Sequence, residues 1–321
     1  MKSSENSISR GIIFVLVGAS SYGMLATFVK KAYQDHFSTA EVTIAQYLLG
    51  IICLSFMVFI NRKNQKPLEK GDFSKLFLAG ISFGLTSVLY YISIRFVNAS
   101  IGVVLLMQSV WIGVVIEAFR LKKIPELKKI IAVIVVLIGT LLATNALNST
   151  ESLDYRGVIF GFLAAISFSI VLLSTNSIAL HLTPEKRSLY MLFGGSVIVI
   201  TLTLLSQILP YFFNLQLIPA EFISQKPLDL SILGYWGIPI ALFGTVIPPL
   251  MFNKGFPLVG VGLGSILSAF ELPVSIIISF FMLGEIINPT QWLGVGMILM
   301  AIVLLNINFN FQKKSEPVEI Q

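Results

Sequence analysis

Apolar runs of about twenty residues follow one another along nearly the whole chain, each separated from the next by a short polar stretch. They fall at about 10–31, 39–60, 74–94, 99–120, 127–147, 156–180, 187–209, 231–253, 258–283 and 289–310. A helix of ~20 residues crosses a hydrocarbon core of ~30 Å, so the pattern predicts ten transmembrane helices. The runs are continuously apolar rather than alternating, which selects helices over the strands of a membrane barrel. The links are too short to hold a separate soluble domain. The first run exceeds the apolar region of a signal peptide and has a twin inside the chain, which favours a retained span.

That twin belongs to a repeat. Arg10-Gly11-Ile12-Ile13-Phe14 returns as Arg156-Gly157-Val158-Ile159-Phe160, an offset of 146 residues. Late in each half the offset becomes 162: Lys122-Lys123-Ile124 overlies Gly284-Glu285-Ile286, and Ala132 to Gly139 overlies Gly294 to Ala301. The difference of 16 residues places an insertion in the second half at about 210–230, where Pro210, Tyr211, Phe212 and Phe213 stand. Five spans per half would invert the second copy, an arrangement used by carriers whose halves rock about a shared site. The fold class expected is therefore all-α integral membrane, ten transmembrane helices as two inverted five-helix repeats. The first repeat (spans 1–5) covers 1–148 and the second (spans 6–10) covers 149–321. The insertion reads as an extracytoplasmic interfacial flap, with a gate as the alternative.

Composition agrees with burial in lipid. Of the 321 residues 55% are hydrophobic and 12% charged, whereas a soluble chain carries about 25% charge. The net charge of +6 is a matter of topology. With the N-terminus inside, 17 of the 22 Lys and Arg fall on the cytoplasmic side, leaving Lys30, Lys31, Arg95, Arg156 and Lys226 outside. This bias expects both termini in the cytoplasm of a cell inner or plasma membrane, and it makes nucleic acid a poor partner. Cys53 is alone, so no intramolecular disulfide exists, and His36 and His181 are single. No metal site, cofactor or nucleotide-binding loop is expected, nor a hydrolase motif.

Ionisable groups at bilayer depth are costly, by ~2.5–3.5 kcal/mol, and are functional candidates for that reason. Glu271 lies about 12 residues from either end of its run, ~18 Å deep at the helical rise. Pro273 follows it, removing a backbone N–H and freeing a nearby carbonyl. Gly264, Ser268, Glu271, Ser275 and Ser279 share an arc of about 80°, facing either another helix or a wet cavity. Glu117, three residues before Arg120, reads as a snorkelling or locally paired carboxylate. Pro248 and Pro249 are expected to kink or unwind the eighth span. Tyr22 lies among Ser20, Ser21 and Gly23, and its repeat mate is Phe168 between Ser167 and Ser169. Ser87 and Tyr91 are one turn apart on the third span, and Gln108 and Trp111 share a face of the fourth, with Trp111 the repeat mate of Pro273.

Each half resembles an EamA repeat of the drug/metabolite transporter superfamily, over roughly residues 10–310. The likeness rests on the glycine-bearing first span of each half and on Leu267…Glu271-Leu272-Pro273, Leu283-Gly284-Glu285 and Gly294. Leu272 stands between Glu271 and Pro273, where the family pattern has Glu directly before Pro, and Lys123 stands in the first half where the second has Glu285. The resemblance implies a carrier with a central cavity built by spans 1, 3, 4, 6, 8 and 9, with spans 5 and 10 peripheral. Members move amino acids and other small metabolites, often outward, some as uniporters and some coupled to protons.

The expected function is a secondary transporter, exporting a small metabolite such as an amino acid by alternating access. Tyr22, Tyr91, Gln108, Trp111, Ser167 and Glu271 are the expected substrate-binding residues, and Pro248, Pro249 and Pro273 the helix breaks. Partners are a small-molecule substrate and the lipid bilayer, with protons and a homodimer left open. A non-transporting scaffold or sensor subunit is the alternative, and a membrane-embedded enzyme lacks converging catalytic groups.

Overall fold

The computed structural model describes residues 2–97, 99–146, 154–224, 226–284 and 286–311, and no strand occurs among them. The expected repeat boundary at 148 and 149, the signature residue Glu285, and Lys313 and Lys314 lie outside the described residues, as does the Arg95 side chain.

The helices are α1 (Lys2–Gln34), α2 (Thr39–Ile60), α3 (Asp72–Phe96), α4 (Ala99–Leu106), α5 (Ser109–Leu121), α6 (Leu127–Ala143) and α7 (Tyr155–Ser177). The chain continues through α8 (Pro184–Thr203), α9 (Leu209–Phe213), α10 (Ile238–Ala241), α11 (Ile247–Val259), α12 (Val261–Ser268), α13 (Glu271–Leu283) and α14 (Pro289–Phe311). Eight helical stretches are long and apolar enough to cross a membrane by length and composition. The pairs α4–α5, α8–α9, α10–α11 and α12–α13 each form one of them. The 17 residues of α6 make ~26 Å of helix, slightly under the hydrocarbon thickness. That helix lies along α14. Large apolar side chains such as Phe56, Phe119, Ile131 and Leu304 face outward, as lipid requires and water would not tolerate over so wide an area. The chain is a multi-pass membrane protein.

Local chemistry fixes the ends. Ser38 caps α2 by accepting the Glu41 N–H at 3.2 Å, while Glu41 accepts the Ser38 N–H at 2.6 Å. Asp154 caps α7 through the Arg156 N–H at 2.8 Å. Inside the bundle, hydroxyls of Ser20, Thr43, Thr86, Thr140 and Ser174 donate to the carbonyl four residues back. In lipid that internal bond replaces the missing water.

Prolines shape the seventh and eighth spans without unwinding them. Three π-helical turns, Leu204–Ile208, Leu233–Gly237 and Leu242–Val246, each end two residues before a proline, at Pro210, Pro239 and Pro248. A wider turn moves carbonyls out of the path of the pyrrolidine ring. Pro248 and Pro249 then occupy the first turn of α11, where no N–H partner is needed. The expected kink at these two prolines is therefore a widened turn within a continuous span. Carbonyls released by the widening find other donors: Phe243 accepts the Ser21 hydroxyl at 3.1 Å, and Ser206 accepts the Ser224 N–H at 2.7 Å. The same device carries helix on to Phe213, so the chain leaves the seventh span three residues beyond Pro210, where the insertion was expected to begin.

The main packing pairs are α1 with α11 and α13, α3 with α7 and α8, α2 with α8, α5 with α12, and α6 with α14. A core runs through them, including Tyr47, Leu54, Phe168, Leu192, Phe252, Phe256 and Leu267.

Candidate functional site

Two helix breaks fall at matching positions in the two halves of the chain. In the second half α12 stops at Ser268 and α13 starts at Glu271. Pro273 has no N–H for the Ala269 carbonyl, which instead accepts the Leu272 N–H at 3.2 Å, one residue short of helical register. The carbonyl expected to be free is thus satisfied locally. In the first half α4 stops at Leu106 and α5 starts at Ser109. There the tightened bonds are Gln108 N–H to Leu105 at 3.1 Å and Val110 N–H to Met107 at 3.0 Å. Leu272 and Val110 differ by 162, the offset of the repeat.

Glu271 is placed by the close approach of α1. A Cβ at Gly23 would overlap the Glu271 carbonyl, so only glycine lets the two backbones meet here. The side chain is half-buried, and its carboxylate has no hydrogen bond or ion pair among the described residues. Tyr22 of α1 and Tyr90 of α3 lie within electrostatic reach of it. Tyr22 meets Phe168 of α7 edge-on at 6.3 Å and Phe252 of α11 at 5.7 Å. From Tyr90 the aromatic path runs outward through Tyr91 at 5.9 Å and on to Tyr33 at 6.4 Å. A carboxylate without a cation among the described residues, with two tyrosines in electrostatic reach, suits a cationic or hydrogen-bonding group.

Tyr33 and Tyr91 open onto a cavity of about 400 Å³ between the ends of α1, α2 and α3 and the Leu204–Ile208 turn. Phe222, Ile223 and Ser224 of the inserted segment wall it. That wall is pinned by Glu41, whose side chain is wholly buried. Its Oε1 accepts the Gln207 amide at 2.9 Å and the Asp229 N–H at 2.8 Å, while Oε2 meets the Lys226 ammonium at 2.9 Å. Lys226 also donates to the His36 carbonyl at 2.7 Å. The inserted segment is stapled to the bundle by these contacts.

The six expected residues fall into three settings. Tyr22 and Glu271 stand together, and Tyr91 joins them to the outer cavity. Gln108 and Trp111 bond each other at 2.9 Å, with the Gln108 amide also donating to Val104 at 3.0 Å, and Trp111 stacks on Phe162. Ser167 is buried between α7 and α3, donating to the Ser82 carbonyl at 2.9 Å. The stripe around Glu271 faces α1 and α11, with Gly264 on Phe256 and Ser279 3.5 Å from Thr27.

Sequence reasoning missed Tyr33 and Tyr90; Tyr90, next to Tyr91, offered the only signal. It also missed Arg187, counted among the cytoplasmic basic residues but 2% exposed. Its guanidinium donates to three carbonyls: Ile178 at 3.0 Å, Thr175 at 2.6 Å and Asn253 at 2.9 Å. The first two close the end of α7, and the third is the carbonyl that Pro257 leaves unpaired in α11. Planar, forked donors suit that task as an ammonium does not.

The helices define an integral membrane protein, and comparison with known proteins makes it a transporter. The chain matches the EamA-like transporter family over residues 9–145 and 155–307, and it belongs to that family. It is 22% identical to an uncharacterized transporter, YwfM, of Bacillus subtilis (strain 168), over 96% of this chain and 97% of that one. An uncharacterized inner membrane transporter, YicL, of Salmonella typhimurium is 25% identical over 94% and 97% of the two chains. A solved crystal structure superposes with a TM-score of 0.69 at 10% identity, covering 94% of this chain and 98% of the other, a likeness of fold alone.

Proposed function

We propose that this transporter is a secondary carrier of ten spans in two inverted repeats, exporting a small metabolite such as an amino acid by alternating access. The observation that carries the reading is the pair of helix breaks 162 residues apart with the unpaired Glu271 carboxylate beside one of them. Broken helices at the midplane form the sites of many secondary transporters. The packing supports the repeat as well. Exchanging each span with its counterpart five spans on turns α1 against α11 into α7 against α3, and returns α2–α8 and α6–α14 to themselves.

The conformation has a direction. Helices α5 and α12 pack closely, whereas α4 and α13, the other halves of the same two spans, are not joined in that way. In the expected orientation the joined pair is cytoplasmic, so the site faces outward. Glu271 serves either as anchor for a substrate amine or as carrier of a coupling proton.

A thermal-shift screen of metabolites on detergent-solubilised protein finds the ligand, since bound ligand raises apparent stability. Counterflow of that ligand in proteoliposomes then tests transport. Counterflow abolished by Glu271→Gln supports the reading; counterflow unchanged in that variant, with unchanged pH dependence, removes Glu271 from the mechanism.

A further inference from the structure

The interface of α5 and α12 is held by one carboxylate that the site around Glu271 does not use. Gly113 of α5 sits so near α12 that an added Cβ would overlap the Ser265 hydroxyl. One turn further along α5, Glu117 reaches across to the start of α12. Its Oε1 accepts the Gly262 N–H at 3.0 Å, and its Oε2 pairs with the Lys129 ammonium of α6. Gly262 is the second residue of α12, so its N–H has no partner within the helix and sits at the positive end of the helix dipole. A Cβ at 262 would overlap the carboxylate where it stands, so glycine lets it come this close. Side-chain exposure is only 19% for Lys129 and 15% for Glu117, which limits screening of the pair. The contact has no charged twin. The residue 162 further on is Ser279, whose hydroxyl merely lies 3.5 Å from Thr27.

We propose that Glu117 is the latch of the cytoplasmic gate. The inward-facing state forms when the Glu117–Gly262 hydrogen bond breaks and α5 separates from α12, with Lys129 holding the carboxylate in position while the gate is shut. This assignment rests on the alternating-access reading and gives one of its steps a residue. Sidedness comes from charge: the bond ties together two spans of opposite repeats, and any opening on that face must break it.

The test uses full-length protein in proteoliposomes, with Cys53→Ser removing the native thiol and Ser265→Cys as reporter. Ser265 is wholly buried, so a membrane-impermeant maleimide reaches the introduced thiol only when the two helices part. Adding Glu117→Ala should speed its modification at least about tenfold, as expected for losing a hydrogen bond to a charged group. Glu117→Gln, which keeps an acceptor for Gly262, should give a smaller increase, and Lys129→Gln should fall between parent and Glu117→Ala. Lys129→Gln leaves the α5–α12 bond itself in place and guards against a folding artefact, with melting in detergent as the control. Modification rates of Glu117→Ala and Lys129→Gln within about twofold of the parent overturn the latch. Faster modification in a parent that shows no counterflow upholds the latch and counts against transport instead, so the two readings fail separately.

Discussion

Glu271 places a carboxylate near Tyr22 and Tyr90, with no ion-pair partner among the described residues. Folding does not need such a group, because among the described residues nothing is held by its carboxylate. Glu271→Gln should therefore leave the melting temperature in detergent unchanged or raise it, as removing a desolvated charge does. A marked fall in melting temperature would make Glu271 structural. Arg187 is the opposite case, a buried cation whose three donors satisfy two carbonyls at the end of α7 and one inside α11. Arg187→Met leaves those carbonyls unpaired at about 1–3 kcal/mol each, and a sharp loss of folded protein in size-exclusion chromatography is the expected outcome. Arg187→Lys should recover only part of it, since one ammonium cannot span three acceptors. Depth within an apolar run made Glu271 legible in the sequence. Nothing local marked Arg187, which follows Pro184 at a span end and looks like any snorkelling cation until α11 is seen folding against it.

Helix identity was legible because lipid leaves the backbone few choices, and the runs predict where helix lies. Their interruptions were half legible. Pro273 announced the break before α13, whereas the matching break at Gln108 has no proline and is visible only through the repeat offset. Prolines 210, 239 and 248 were legible as disturbances, but not that each is absorbed by a π-helical turn. The insertion shows the same limit. Its length could be counted from the repeat, yet its attachment depends on Glu41, 169 residues before Pro210 and outside any motif. Glu41→Ala removes the staple from Gln207, Lys226 and Asp229. Amide hydrogen exchange across 214–232 should then quicken while that of α3 and α8 holds; unchanged exchange in the inserted segment would show that Glu41 does not anchor it.

At the scale of the molecule, two halves that match one family pack α5 against α12, while Tyr90, Tyr91 and Tyr33 lead from the proposed site to the cavity at the ends of α1, α2 and α3. Rigid-body motion of one half against the other would carry the region between Tyr22 and Glu271 from one face to the other, with Gly23 keeping α1 and α13 in contact. Gly23→Val should overpack that contact, slowing exchange between states and lowering the yield of folded protein; normal yield with normal transport would mean the helices part there. Access to the site from both faces is the most direct check of alternation. In a Cys53→Ser background, a thiol introduced by Tyr22→Cys should react with an impermeant maleimide from the outer face, and from the cytoplasmic face once Glu117→Ala is added. Reaction from one face only, in every variant and with or without ligand, would contradict alternating access.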